Sequence, residues 1–195
     1  MRRAISLLRI KRGLTLNQYD LRGCNVNDPR LPRFLYMFLL LAGLLMMAYY
    51  YPQMPERMAS HFAADGRPNG WQSREAFFVL MIVVSSASAV VCFLAPRQIA
   101  AKANARINLP NRDYWLAPER REATMRYISA TMAWFGCGIL FVLISGTFFA
   151  LQANLVPDHR FNSDAMLVIL GSFLAALFAL LVGLVRHFQR VPPNA

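Results

Sequence analysis

Acidic residues are scarce in this chain: ten Asp and Glu stand against 21 Lys and Arg, for a formal charge of +11. Histidine and cysteine are scarcer still, at three each. The cysteines are Cys24, Cys92 and Cys137, and no CxxC spacing occurs. Neither a disulfide framework nor a cysteine zinc site is therefore expected. Cys92 and Cys137 lie inside apolar runs, where cysteine is ordinarily a small packing residue. HExxH, GxSxG and the phosphate loop are all missing. No catalytic residue and no cofactor are expected. The most informative absence is positional: four long stretches hold no Asp, Glu, Lys, Arg or His at all.

What is present is apolar surface. Hydrophobic residues make up 56% of the 195, and the mean hydropathy is +0.34, too high for an ordinary water-soluble domain. A basic chain invites a nucleic-acid reading, but that needs arginines and lysines gathered into one surface stripe. Here they fall in the gaps between apolar runs, as in an integral membrane protein, and no nucleic-acid partner is expected. The four runs are Phe34 to Tyr51, Ala76 to Ala95, Tyr127 to Ala153 and Ala165 to Val185. Each approaches or exceeds the roughly 20 residues that span a bilayer as a helix. They do not alternate as barrel strands would, so the expected class is an all-α integral membrane protein, a four-helix transmembrane bundle.

Orientation follows from the gaps. Basic residues are dense before the first run, sparse after it, dense again from Arg97 to Arg126, and reduced to Arg160 before the fourth. That alternation places both termini in the cytoplasm of a multi-pass protein of the cell inner (cytoplasmic) membrane. It divides the chain into a basic cytoplasmic arm over 1–33, a four-span domain over 34–186 and a tail over 187–195. The N-terminus is basic like the start of a signal peptide. Its apolar stretch is broken by Arg9, however, and no cleaved signal is expected. The arm is expected to rest on anionic headgroups.

In the fourth run, Gly171, Ala175, Ala179 and Gly183 recur at every fourth position. Such a stripe lets another backbone approach closely, either within this bundle or in a homodimer. The third run contributes "GCG" and "SGT".

Two polar loops interrupt the apolar pattern. The first, "YPQMPERMASHFAADGRPNGW", is expected outside. Pro52 and Pro55 suit a first helical turn, and Met54, Met58 and Phe62 stand four apart. A short surface helix from Pro55 to Ala64 is expected, followed by turns at Asp65-Gly66 and Asn69-Gly70. His61 lies beside the apolar face. Its ordinary role is to hydrogen-bond the following turn. With His159 it is also a candidate metal ligand, although sequence spacing says nothing about convergence. The second loop, "NLPNRDYWLAPERREAT", is expected inside. It holds Asn108, a turn at Pro110-Asn111, and Tyr114 and Trp115 as headgroup anchors. Pro118 is placed as the first residue of a helix entering the third span, with Glu119 in its first turn. A cytoplasmic protein docking on Trp115 and Arg120 also fits these residues.

The ordered motif "MPERMASHFAADGRPNGW" after a Tyr-Pro span end resembles a bacterial membrane-domain family of unknown function. That domain also forms the N-terminal part of the immunity protein against the sporulation-delaying-protein toxin. The inner loop resembles that of a subset of the family, and the likeness covers about Leu35 to Trp134. The resemblance implies a non-catalytic membrane protein whose outer loop senses, sequesters or gives tolerance to an extracytoplasmic peptide or envelope stress. The alternatives are a membrane enzyme or metal-handling protein using His61 and His159, and a small transporter subunit. Against transport, no span carries the ionisable group that substrate pathways usually need.

Overall fold

The computed structural model describes residues 28–101 and 107–191. Most of the basic arm, Cys24 and the last four residues of the tail lie outside the described residues. Six helices and one two-stranded sheet are described: α1 (Arg30–Tyr50), β1 (Arg57–Phe62), β2 (Pro68–Ser73), α2 (Arg74–Ala89), α3 (Ala95–Ala101), α4 (Arg112–Trp115), α5 (Pro118–Leu155) and α6 (Ser163–Gln189). Four helical stretches are long and apolar enough to cross a membrane: Arg30–Gln53, Arg74–Ile99, Pro118–Leu155 and Ser163–Gln189. The helices thus outrun the apolar stretches at their ends. Local chemistry sets those ends. Ser73 and Asn162 cap α2 and α6 by accepting from the N–H groups of Ala76 and Ala165. Pro118 starts α5, which runs unbroken into the third apolar stretch.

Between α2 and α3 the chain widens into a π-helical turn, Val90–Leu94. This turn lies just before Pro96, whose ring nitrogen cannot donate to the carbonyl of Cys92.

The long α5 is the hub, touching α1, α2, α3, α4, α6 and β1. Tyr36 and Leu140, both fully buried, centre the α1–α5 contact. The Tyr36 hydroxyl donates to the Ser85 carbonyl at 2.9 Å and lies 2.6 Å from Ser88 Oγ, tying α1 to α2. Glycines let the backbones approach. A Cβ at Gly43 would stand 3.0 Å from Ile144, and one at Gly136 would stand 2.8 Å from Cys92. The thiol of Cys137 donates to the Pro32 carbonyl at 3.1 Å.

The α5–α6 contact corrects the expected packing. Gly171, Ala175, Ala179 and Gly183 are all exposed, and a Cβ at Gly171 or Gly183 would meet nothing within 4 Å. The small residues that receive a neighbour are instead on α5. Phe173 packs on Gly138, where a Cβ would lie 2.7 Å from its ring, and Met166 packs near Gly146. Large side chains of α6 enter hollows in α5, so the small stripe is rotated outward. Phe188 is the one buried residue of α6.

The outward faces are strongly apolar. Phe34, Val91, Leu167, Val168 and Phe178 are each at least 64% exposed.

Candidate functional site

At the α1–α2 connection the chain forms a β-hairpin and not the short helix expected over Pro55 to Ala64. A spacing of four, as in Met54, Met58 and Phe62, fits a helical turn but is also an even number, which suits a pleated strand. The pairing partner decides between them: β2 lies close enough in sequence to zip onto β1. Arg57 pairs with Ser73, Met58 with Gln72, Ala59 with Trp71, His61 with Gly70 and Phe62 with Pro68, with irregular register on either side of His61. Asn69 and Gly70 accordingly lie within β2 and do not form the expected turn.

The reversal is made by residues 63–67. Gly66 N–H donates to the Ala63 carbonyl, Ala63 N–H to that of Arg67, and Arg67 N–H to Asp65 Oδ1. Gly66 has φ +81°, the left-handed region that glycine enters without a Cβ penalty. The tip of the hairpin docks on the α5–α6 connection. Phe161 N–H donates to the Gly66 carbonyl at 3.0 Å, and Phe62 stacks on Phe161 at 4.9 Å between centroids.

The hairpin is fixed to α5 by a residue just beyond the end of the third apolar run. Asn154 is buried in the last turn of α5. Its Oδ1 accepts from Ala59 N–H at 2.8 Å, and its Nδ2 donates to the Ala59 carbonyl at 2.9 Å and to the Ala150 carbonyl at 2.8 Å. The amide thereby takes the place of a neighbouring strand. On the other side, Arg74 donates to the Met54 carbonyl and lies 4.7 Å over the Tyr51 ring. Pro52 falls in the 3-10 turn Tyr51–Gln53, and Pro55 follows it in the exposed connector.

The two candidate histidines flank β2. His61 is exposed and lies over Gly70, where a Cβ would come within 2.9 Å of its side chain. His159 has φ +49°, and its ring meets Trp71 edge-on at 5.2 Å. Its Nδ1 is buried with no hydrogen-bond partner. Among the described residues, no three or more of His, Cys, Asp and Glu gather where they could hold a metal ion.

Beneath the hairpin lies a cleft of about 440 Å³. His61 and Phe62 stand on its hairpin wall, Phe77 and Met81 come from α2, Leu143 from α5 and Met166 from α6. The lining is mostly apolar, with polar groups such as Ser60, His61 and Ser163 near the hairpin.

The opposite end is built from the basic loop. Asn111 takes the left-handed conformation at φ +50°, and its Nδ2 donates to the Phe188 and Gln189 carbonyls at 3.0 and 3.1 Å. Trp115 Nε1 donates to the Phe188 carbonyl at 2.9 Å. These bonds satisfy carbonyls that a helix C-terminus leaves unpaired. Trp115 is therefore a cap on α6, which the headgroup-anchor reading did not foresee. Arg120 lies 4.1 Å over the Tyr114 ring, and Arg126 pairs with Glu122 at 2.8 Å. Asn108, Pro110 and Glu119 are exposed.

Four long apolar helices, a strand hairpin clamped across one end and a loop capping the other make a helical bundle, each long helix being long and apolar enough to cross a membrane. A family model described as a domain of unknown function (DUF1648) matches residues 38–85, from α1 through the hairpin into α2. The match ends before the basic loop, and nothing links the chain to a toxin-immunity protein. No curated protein and no solved structure matches the chain.

Proposed function

We propose that the chain is a non-catalytic four-span protein of the cytoplasmic membrane, with the hairpin outside, and that the hairpin end receives an apolar segment of an extracytoplasmic peptide. The exposed apolar faces of all four long helices support the membrane setting, since water would penalise them and hydrocarbon does not. The basic loop opposite the hairpin supports the orientation. One observation carries the binding reading: the apolar cleft under the hairpin, with polar side chains near its roof. Pockets for small ligands share that design, an apolar lining with few polar groups. A peptide is the proposed occupant because the hairpin also offers a strand edge beside the cleft wall formed by β1: β2 pairs only with β1 among the described residues. Its second edge has backbone groups suited to an added strand.

The test is a photocrosslinking amino acid at Phe62 in whole cells, with Ala175 as a control position on the far helix face. Peptide adducts are expected at Phe62 and not at Ala175, and Gly146→Leu, which fills the cleft, should abolish them. Adducts of lipid alone at Phe62, or peptide adducts unaffected by filling the cleft, would contradict the proposal.

A further inference from the structure

The end opposite the hairpin contains a second cavity, of about 800 Å³, between the start of α1, the start of α5 and the end of α6. Four arginines line it, Arg30, Arg33, Arg120 and Arg126, against one carboxylate, Asp28. Arg126 is engaged by Glu122. Arg33 is not so supplied: its buried Nε has no hydrogen-bond partner. Arg97 on α3 and Asp28 both act electrostatically on Arg33, Arg97 adding positive charge and Asp28 partly offsetting it. The remaining wall is aromatic. Tyr127 stacks on His187 at 4.1 Å, and Trp115 lies 4.9 Å from the same imidazole. Trp115 is held by its bond to the Phe188 carbonyl, which keeps that wall in place.

Such a site asks for an anion with several acceptor oxygens. Guanidinium groups match phosphate in pairs, and an unpartnered buried N–H is a donor awaiting an acceptor. A neutral occupant would leave the surplus charge uncompensated. The cavity also lies where the apolar stretches begin, at Phe34 and Tyr127, and where the fourth ends, before Arg186. On the four-span reading above, that depth is the headgroup layer, and basic pockets between spans at that depth suit anionic lipid headgroups.

We infer that the Arg30–Arg33–Arg120–Arg126 cavity is a binding site for a phosphate-bearing anion, supplied either by a lipid headgroup or by free phosphate. The two sources share the phosphoryl chemistry and differ in the acyl chains, which would lie against the exposed apolar start of α1 around Leu31 and Phe34.

The experiment is a thermal-shift titration of the full chain in a non-ionic detergent with phosphatidylglycerol, with diacylglycerol and with inorganic phosphate. A saturable rise in melting temperature is expected with phosphatidylglycerol or phosphate and not with diacylglycerol. Phosphatidylglycerol acting at a concentration at least tenfold lower than phosphate assigns the site to lipid; equal midpoints assign it to the free ion. Arg33→Gln and Arg120→Gln should each raise the midpoint about tenfold or more, the usual scale for losing a hydrogen bond to a charged group. Arg67→Gln, at the hairpin end, should leave it unchanged. Arg33→Lys keeps the charge without the fork and should fall between. Arg120 lies in the first turn of α5, so Arg120→Gln keeps the test open should Arg33→Gln fail to accumulate. Equal shifts from phosphatidylglycerol and diacylglycerol, or midpoints that neither glutamine variant moves, would overturn the site. Because the phosphate arm needs no bilayer, a wrong membrane orientation would leave its result standing.

Discussion

The side chain that matters most to the hairpin is Asn154. Its amide pairs with both backbone groups of Ala59, a residue that is itself fully buried. Asn154→Ala would strand a donor and an acceptor away from water, at about 1–3 kcal/mol for each unsatisfied group. The variant should melt well below the parent in detergent, and the hairpin amides should lose hydrogen-exchange protection before the helices do. Asn154→Asp keeps the acceptor but sets a carboxylate against two carbonyls, so it should not restore stability. Gly66 is constrained twice over. Its φ of +81° disfavours a side chain, and a Cβ there would stand 2.5 Å from the Phe161 carbonyl oxygen. Gly66→Ala should cost about 1–3 kcal/mol and release the tip from the α5–α6 connection. Gly70 is restricted for another reason, since only its contact with the His61 side chain is tight. The turn glycine at 66 was legible from its Asp-Gly dipeptide. Asn154 was not, because a polar residue at the end of an apolar run looks like the start of a loop until its partner 95 positions away is known.

At the level of elements, the helices were legible and the short sheet was not. Ser73, Pro118 and Asn162 give α2, α5 and α6 their starts, and the long uncharged runs that follow carry the helices on. The segment from Met54 to Phe62 carries too few residues for its period to separate a strand from a helix, and its conformation depends on pairing with β2. Helix rotation was equally hidden. A stripe of small residues shows that close approach is possible, not which side of the helix meets a neighbour. The structure gives that role to Gly138 and Gly146 of α5. Gly138→Leu should therefore push Phe173 out and loosen α6, at about 1–3 kcal/mol for overpacking. Ala175→Leu and Ala179→Leu should stay within about 0.5 kcal/mol of the parent in detergent as a monomer. Melting temperatures of the three variants check this. A loss in Ala179→Leu as large as in Gly138→Leu would mean that the stripe is packed within the chain after all.

For the whole molecule, the two ends are chemically unlike. One has a clamped hairpin over an apolar cleft, the other an arginine-lined cavity beside a loop that caps α6. The peptide-receiving proposal depends on which end meets which compartment, and on the proposed orientation the basic residues put the arginine end in the cytoplasm. The most direct measurement is labelling of single introduced cysteines by a membrane-impermeant maleimide in intact cells, with the native cysteines replaced. Asn69 in β2, Asn162 before α6 and Asn111 in the basic loop are all exposed in the fold, so each can be reached from its own compartment. Cysteine at Asn69 and at Asn162 should label without lysis, and cysteine at Asn111 only after it. Labelling of Asn111 in intact cells, or protection of Asn69 and Asn162 until lysis, would contradict the orientation and with it the peptide-receiving role of the hairpin end.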